Sequence, residues 1–156
     1  MKKLLLPVLS LFLAVSPVLT RAQGDAPKPE QPKQEKPKHA ETELEKSMDV
    51  MGKAWRKLRK QADKPDQNAG SLELVATIKA AAHEGLKQKP DLTRDQPADK
   101  QAEFVAGFQK QLKEMIASLD QLEAAFKAND NKAAVDLIAK IGAMQKEGHK
   151  AYKRPE

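Results

Sequence analysis

The stretch TELEKSMDVMGKAWRKLRKQADKP, residues 42–65, decides the fold. Its apolar side chains, Leu44, Met48, Met51, Trp55, Leu58 and Ala62, recur at intervals of four, three, four, three and four. That is the period of one helix face, not of a strand. Thr42 stands three residues before Glu45, the spacing of a capping box in which the hydroxyl and the carboxylate each satisfy a backbone N–H of the first turn. The spacing predicts a helix over about 43–63, stopped by Asp63-Lys64-Pro65.

Working outward, the same period returns three more times. Ser71 opens a second helix, about 72–88, carrying Leu72, Val75, Ile78, Ala82 and Leu86 and ending before Pro90. The third, about 98–128, starts near Pro97 to Asp99 and carries Phe104, Phe108, Leu112, Met115, Leu119, Leu122 and Phe126 up to Asn129-Asp130-Asn131. The fourth, about 132–153, carries Ala134, Ile138, Ile141, Gln145, His149 and Tyr152, with basic residues at its C-terminal dipole and Pro155 after it. No strand pattern competes. Four amphipathic helices with short connections predict an all-α, antiparallel up-down-up-down four-helix bundle.

The flanks are of another kind. Lys2 and Lys3 precede an apolar run from Leu4 to Leu19, and Thr20-Arg21-Ala22 offers a cleavage site, so residues 1–22 read as a secretory signal peptide. A membrane anchor is the competing reading, but Pro7, Ser10, Ser16 and Pro17 interrupt a run already short for a span of about 20 residues. Residues 23–40 hold Pro27, Pro29, Pro32 and Pro37 among Lys and Glu, with no core former, and read as a disordered linker in which His39 is solvated. The folding unit is therefore 41–156. The whole chain has 28 Lys and Arg against 22 Asp and Glu; without Lys2, Lys3 and Arg21 the balance is 25 against 22. Such a weak excess gives no expectation of nucleic-acid binding.

There is no cysteine. That excludes disulfides, thiolate metal sites, iron–sulfur clusters, a nucleophilic thiol and thioether-attached haem. No glycine pattern suggests a nucleotide, no nucleophile, base and orienter set is visible, and the Glu-x-x-His pairs of a di-iron bundle are missing.

Bundle polarity then places residues by height. The starts of helices 1 and 3 share one end, here the open end, with the finishes of helices 2 and 4. At about 1.5 Å per residue, Met48 lies roughly 8 to 9 Å inside that end and His149 a similar distance. Their azimuths, taken at about 100° per residue, turn both inward. A thioether facing an imidazole is the axial pair of a low-spin haem iron. Phe104 and Phe108 lie at the same end, as do Gly85 and Gly148, whose missing side chains leave room. Other candidates fit less well: Met51 is one turn deeper, Met115 and Met144 are too far, and His83 lies about 100° round from the apolar face of helix 2.

From Leu44-Glu45-Lys46-Ser47-Met48, through Phe104-Val105-Ala106-Gly107-Phe108, to His149-Lys150-Ala151-Tyr152-Lys153, the sequence resembles the cytochrome b562 family of periplasmic electron carriers. The resemblance covers nearly all of residues 41–154 and implies one non-covalent haem b ligated by Met48 and His149, with Phe104 and Phe108 packing on it. Gln145 and Lys153 stand where the family carries arginines, which leaves Lys153 or Arg154 to meet a propionate at the exposed edge. The C-x-x-C-H of c′-type bundles is absent. The expected function is one-electron transfer in the periplasm by a monomer that is not an enzyme, has no membrane span once mature, and serves redox partner proteins the sequence does not identify. The alternative is a cofactor-free bundle that binds a protein or peptide.

Overall fold

The computed structural model describes residues 41–154. Four helices follow one another: α1 (Glu43–Leu58), α2 (Asn68–Gly85), α3 (Gln101–Lys127) and α4 (Asn131–Tyr152), with 3-10 turns at Pro65–Gln67 and Asp91–Asp95. The expected signal peptide, the linker with His39, and Pro155 lie outside the described residues. No strand occurs among the described residues.

Local chemistry sets the helix starts. Thr42 Oγ1 accepts from the Glu45 N–H at 3.2 Å, and Glu45 Oε2 accepts from the Thr42 N–H at 2.7 Å, which completes the capping box. Such a cap contributes about 1 kcal/mol. Asp130 caps α4, its Oδ1 accepting from Ala133 N–H at 2.9 Å. In front of α3, the N–H groups of Lys100 and Gln101 both donate to Pro97 O, so a helical turn is under way before Gln101.

Two boundaries differ from the sequence reading by four residues or more, the others by three or fewer. α1 stops at Leu58 rather than 63, although Ala62 remains buried. The intervening turn is held by tertiary bonds: Gln61 Nε2 donates to Ser71 Oγ at 3.0 Å, and Asn131 Nδ2 to Ala62 O at 2.8 Å. α2 starts at Asn68, directly after the 3-10 turn that Pro65 opens, rather than at 72. Ser71 is thus no cap; it is fully buried inside the first turn and receives Gln61.

Contacts fix the antiparallel order. At the open end, Gln109 Nε2 on α3 donates to Leu86 O after α2, and Arg154 after α4 pairs with Asp95 before α3. At the closed end, Asn68 Nδ2 donates to Asn129 Oδ1 at 3.0 Å and to Asn131 Oδ1 at 3.2 Å, joining the start of α2 to the α3–α4 turn. Asn129 itself sits at φ 55°, a left-handed position that asparagine tolerates better than most residues. Leu58, Val75, Leu119, Leu122, Phe126 and Ile141 form the fully buried centre. Extensive packing runs from α1 to α2, α2 to α3 and α3 to α4. α1 reaches α4 through Trp55, whose Cζ2 lies 3.9 Å from the Cβ position of Gly142.

Candidate functional site

The open end gathers most of the residues that the sequence assigns to a site. Met48, half-buried on the second turn of α1, approaches the finish of α2 where it meets α3. A methyl group added to Gly85 would lie 3.3 Å from Leu112 Cδ2, 3.5 Å from Met48 Cε and 3.7 Å from Leu44 Cδ1. Gly85 is therefore a cradle for the Met48 thioether, and a side chain there would crowd it.

One turn before Leu112 stands Phe108, buried, and one turn before that Phe104, half-buried. Both meet Tyr152 of α4 edge-on, with ring centroids 5.0 Å (Phe104) and 5.4 Å (Phe108) from it. Such edge contacts suit the quadrupoles of aromatic rings. Tyr152 comes close because Gly107 has no side chain: its hydroxyl lies 2.8 Å from where a Cβ would be. Apolar surface thus runs from Met48 through Leu112 and Phe108 to the last turn of α4.

That last turn carries His149, and here the structure departs from the inward azimuth. His149 is exposed although Tyr152, three residues further on, still packs against α3, so the imidazole lies to one side of the covered face of α4. Its imidazole is nonetheless partly withdrawn from water: desolvation first, and the Lys153 ammonium second, push its pKa below the ordinary 6.5. Neither ring nitrogen has a protein hydrogen-bond partner among the described residues. A neutral imidazole with unengaged nitrogens at the mouth of an apolar end is a competent metal donor.

The remaining assignments separate. Arg154 pairs with Asp95 at 2.6 Å, so its guanidinium is engaged in the loop before α3. Lys153 lies close enough to His149 to act on its charge. Gly148 does not leave open space: Gln111 Oε1 lies 3.4 Å from its Cβ position, and Gln111 Nε2 donates to Met144 O. Among the other methionines, Met51 is buried in the core and Met144 Sδ accepts from Ser118 Oγ at 3.6 Å. His83 is exposed on α2. Tyr152 and Gln111 were not assigned to the site from sequence. The usable signal was spacing: Tyr152 follows His149 by three residues and Gln111 follows Phe108 by three, which keeps each on its neighbour's face.

A thioether, an imidazole and an aromatic wall toward one end of an antiparallel four-helix bundle are the donor types and apolar surface that suit a haem-binding protein of the electron-transfer type. The chain belongs to the cytochrome b562 family, whose family model matches residues 43–153. Neither a curated protein nor a solved structure matches the chain. No helix among the described residues is long and apolar enough to cross a membrane.

Proposed function

We propose that this protein is a periplasmic one-electron carrier holding one non-covalent haem b between the Met48 thioether and the His149 imidazole. The observation that supports it most is the donor set at the open end: an imidazole without a hydrogen-bond partner, and a thioether cradled at Gly85 beside an aromatic wall. When bound, haem supplies a reversible one-electron couple.

The chain's own residues do the rest. Met48 offers a soft donor that favours reduced iron and so raises the potential. His149 offers a nitrogen already biased toward its neutral form. Phe104, Phe108 and Tyr152 exclude water from a flat apolar ligand, and Lys153 supplies positive charge at the exposed edge, with Arg154 tied back to Asp95. Met48 and His149, if both held the metal, would leave no place there for a substrate, which supports a carrier over an enzyme. Residues 1–22 would deliver the chain to the periplasm.

The test is the absorbance of the protein taken from a haem-sufficient periplasm, or of haem-free protein titrated with hemin. A sharp Soret band, with narrow visible bands on reduction, is the expected result. A protein that takes up no hemin overturns the reading.

A further inference from the structure

The end of α1 and the turn that follows it carry a charge pattern that a haem site does not use. Lys53, Arg56, Lys57, Arg59 and Lys60, all exposed, line one open groove on the side of α1 away from Met51, Ala54, Trp55 and Leu58. No Asp or Glu lies between Asp49 and Asp63. Lys53 pairs with Asp49; the other four cations make no ion pair among the described residues. Asp63 would stand four residues after Arg59 on a continued helix, but α1 has ended at Leu58.

The concentration is local. Residues 41–154 hold 21 Lys and Arg against 18 Asp and Glu; without these five the balance reverses to 16 against 18. The rest of the bundle is thus slightly acidic, and this face is basic. A helix C-terminus carries only about half a negative charge, far less than this face would neutralise.

We infer that this face of α1 is a docking surface for an anionic phospholipid membrane. The groove is lined by cations alone, with no aromatic or apolar anchor of the kind that dominates a shaped protein interface. Long Lys and Arg side chains on the outside of a helix match a flat, laterally mobile layer of phosphate charge, which attracts each one additively. Charge asymmetry turns the molecule toward such a layer before contact. Lys57, near the centre of the face, lies nine residues from Met48, about 13 Å along α1, toward the closed end. Docking there leaves the open end clear and requires no haem.

The experiment is co-sedimentation of the full mature protein with vesicles of phosphatidylglycerol and phosphatidylcholine, against phosphatidylcholine alone. Binding is expected only with phosphatidylglycerol and at low salt, and is lost in about 1 M salt, where the screening length is about 3 Å. The variant Arg56→Gln/Lys57→Gln/Arg59→Gln/Lys60→Gln should bind at least about tenfold more weakly. The variant Lys110→Gln/Lys113→Gln/Lys140→Gln/Lys146→Gln, with the same change in net charge at other exposed positions, should bind as the parent does. Circular dichroism confirms that both stay helical. Equal loss in the two variants, or no sedimentation with phosphatidylglycerol at low salt, overturns the inference. Binding to soluble poly-L-glutamate without binding to vesicles overturns it in favour of an acidic protein.

Discussion

Met48 and His149 differ in how much the bundle depends on them, and that separates folding from ligand binding. Met48 is half-buried against Gly85, so Met48→Ala should destabilise the haem-free protein by about 2 kcal/mol, the low end for a core methionine. With hemin it should leave a five-coordinate or water-ligated centre with a lower potential; an unchanged reduced spectrum would falsify Met48 as ligand. His149 is exposed, so His149→Ala should change urea stability of the haem-free protein by less than about 0.5 kcal/mol while removing most hemin binding. The imidazole gives a pH prediction. Its pKa is lower in the folded than in the unfolded chain, so just below pH 6.5 the unfolded chain binds more protons, and stability declines as pH falls from there. An NMR titration of haem-free protein should place His149 below 6.5. Lys153→Gln should move it upward without restoring 6.5, because desolvation is the larger cause. A midpoint at or above 6.5 in the parent rules out the withdrawn imidazole.

Between helices, the polar bonds are as informative as the core. Lys79 of α2 reaches Asp120 at 2.6 Å and Glu123 at 2.7 Å on α3, and Glu123 also receives Lys127. The hydrogen bond from Lys127, then that from Lys79, holds the Glu123 carboxyl at about 2, well below its ordinary 4.5. Between these values the unfolded chain binds more protons, so the stabilisation present above pH 4.5 is lost as pH falls toward 2. Glu123→Gln should therefore be less stable than the parent at pH 7, with the gap in urea melts narrowing from pH 4.5 downward and closing only below about pH 2. The stripe from Leu44 to Leu58, the capping box and the order of four helices were all legible in the sequence, because each rests on neighbours within one turn. The end of α1 and the start of α2 were not. They depend on Gln61 meeting Ser71, and on Asn131 meeting Ala62 across 69 residues, bonds that leave no local periodicity. The site divides likewise: spacing brought Met48, Phe104 and Phe108 to one end, whereas the exposure of His149 follows from its place beside the face that Tyr152 covers, and the Asp95–Arg154 pair from where α4 stops.

At the scale of the molecule the two ends do different work. The 27 residues of α3 span about 40 Å, so the asparagine cluster at the closed end lies far beyond coupling distance of the open end. Asn131 Nδ2 serves Ala62 O and Asn68 Oδ1, while its own Oδ1 receives Asn68. Asn131→Ala takes the donor from Ala62 O and from Oδ1 of the buried Asn68, whose Nδ2 keeps Asn129, and should destabilise the fold by about 1–3 kcal/mol. Hemin acts at the other end by mass action: at a hundred times its dissociation constant it adds about 2.7 kcal/mol, on the order of 10 °C in melting temperature for a domain of this size. The two effects should add. Asn131→Ala is expected to lower the melting temperature by the same amount with and without hemin, and to leave the hemin-induced rise unchanged, whereas His149→Ala should abolish most of the rise and leave the haem-free melt in place. Differential scanning calorimetry of the parent, the two single variants and the double variant, each with and without hemin, tests this directly. If Asn131→Ala shrinks the hemin-induced rise, the ends are coupled, and the bundle does not hold its site as an element independent of its closed end.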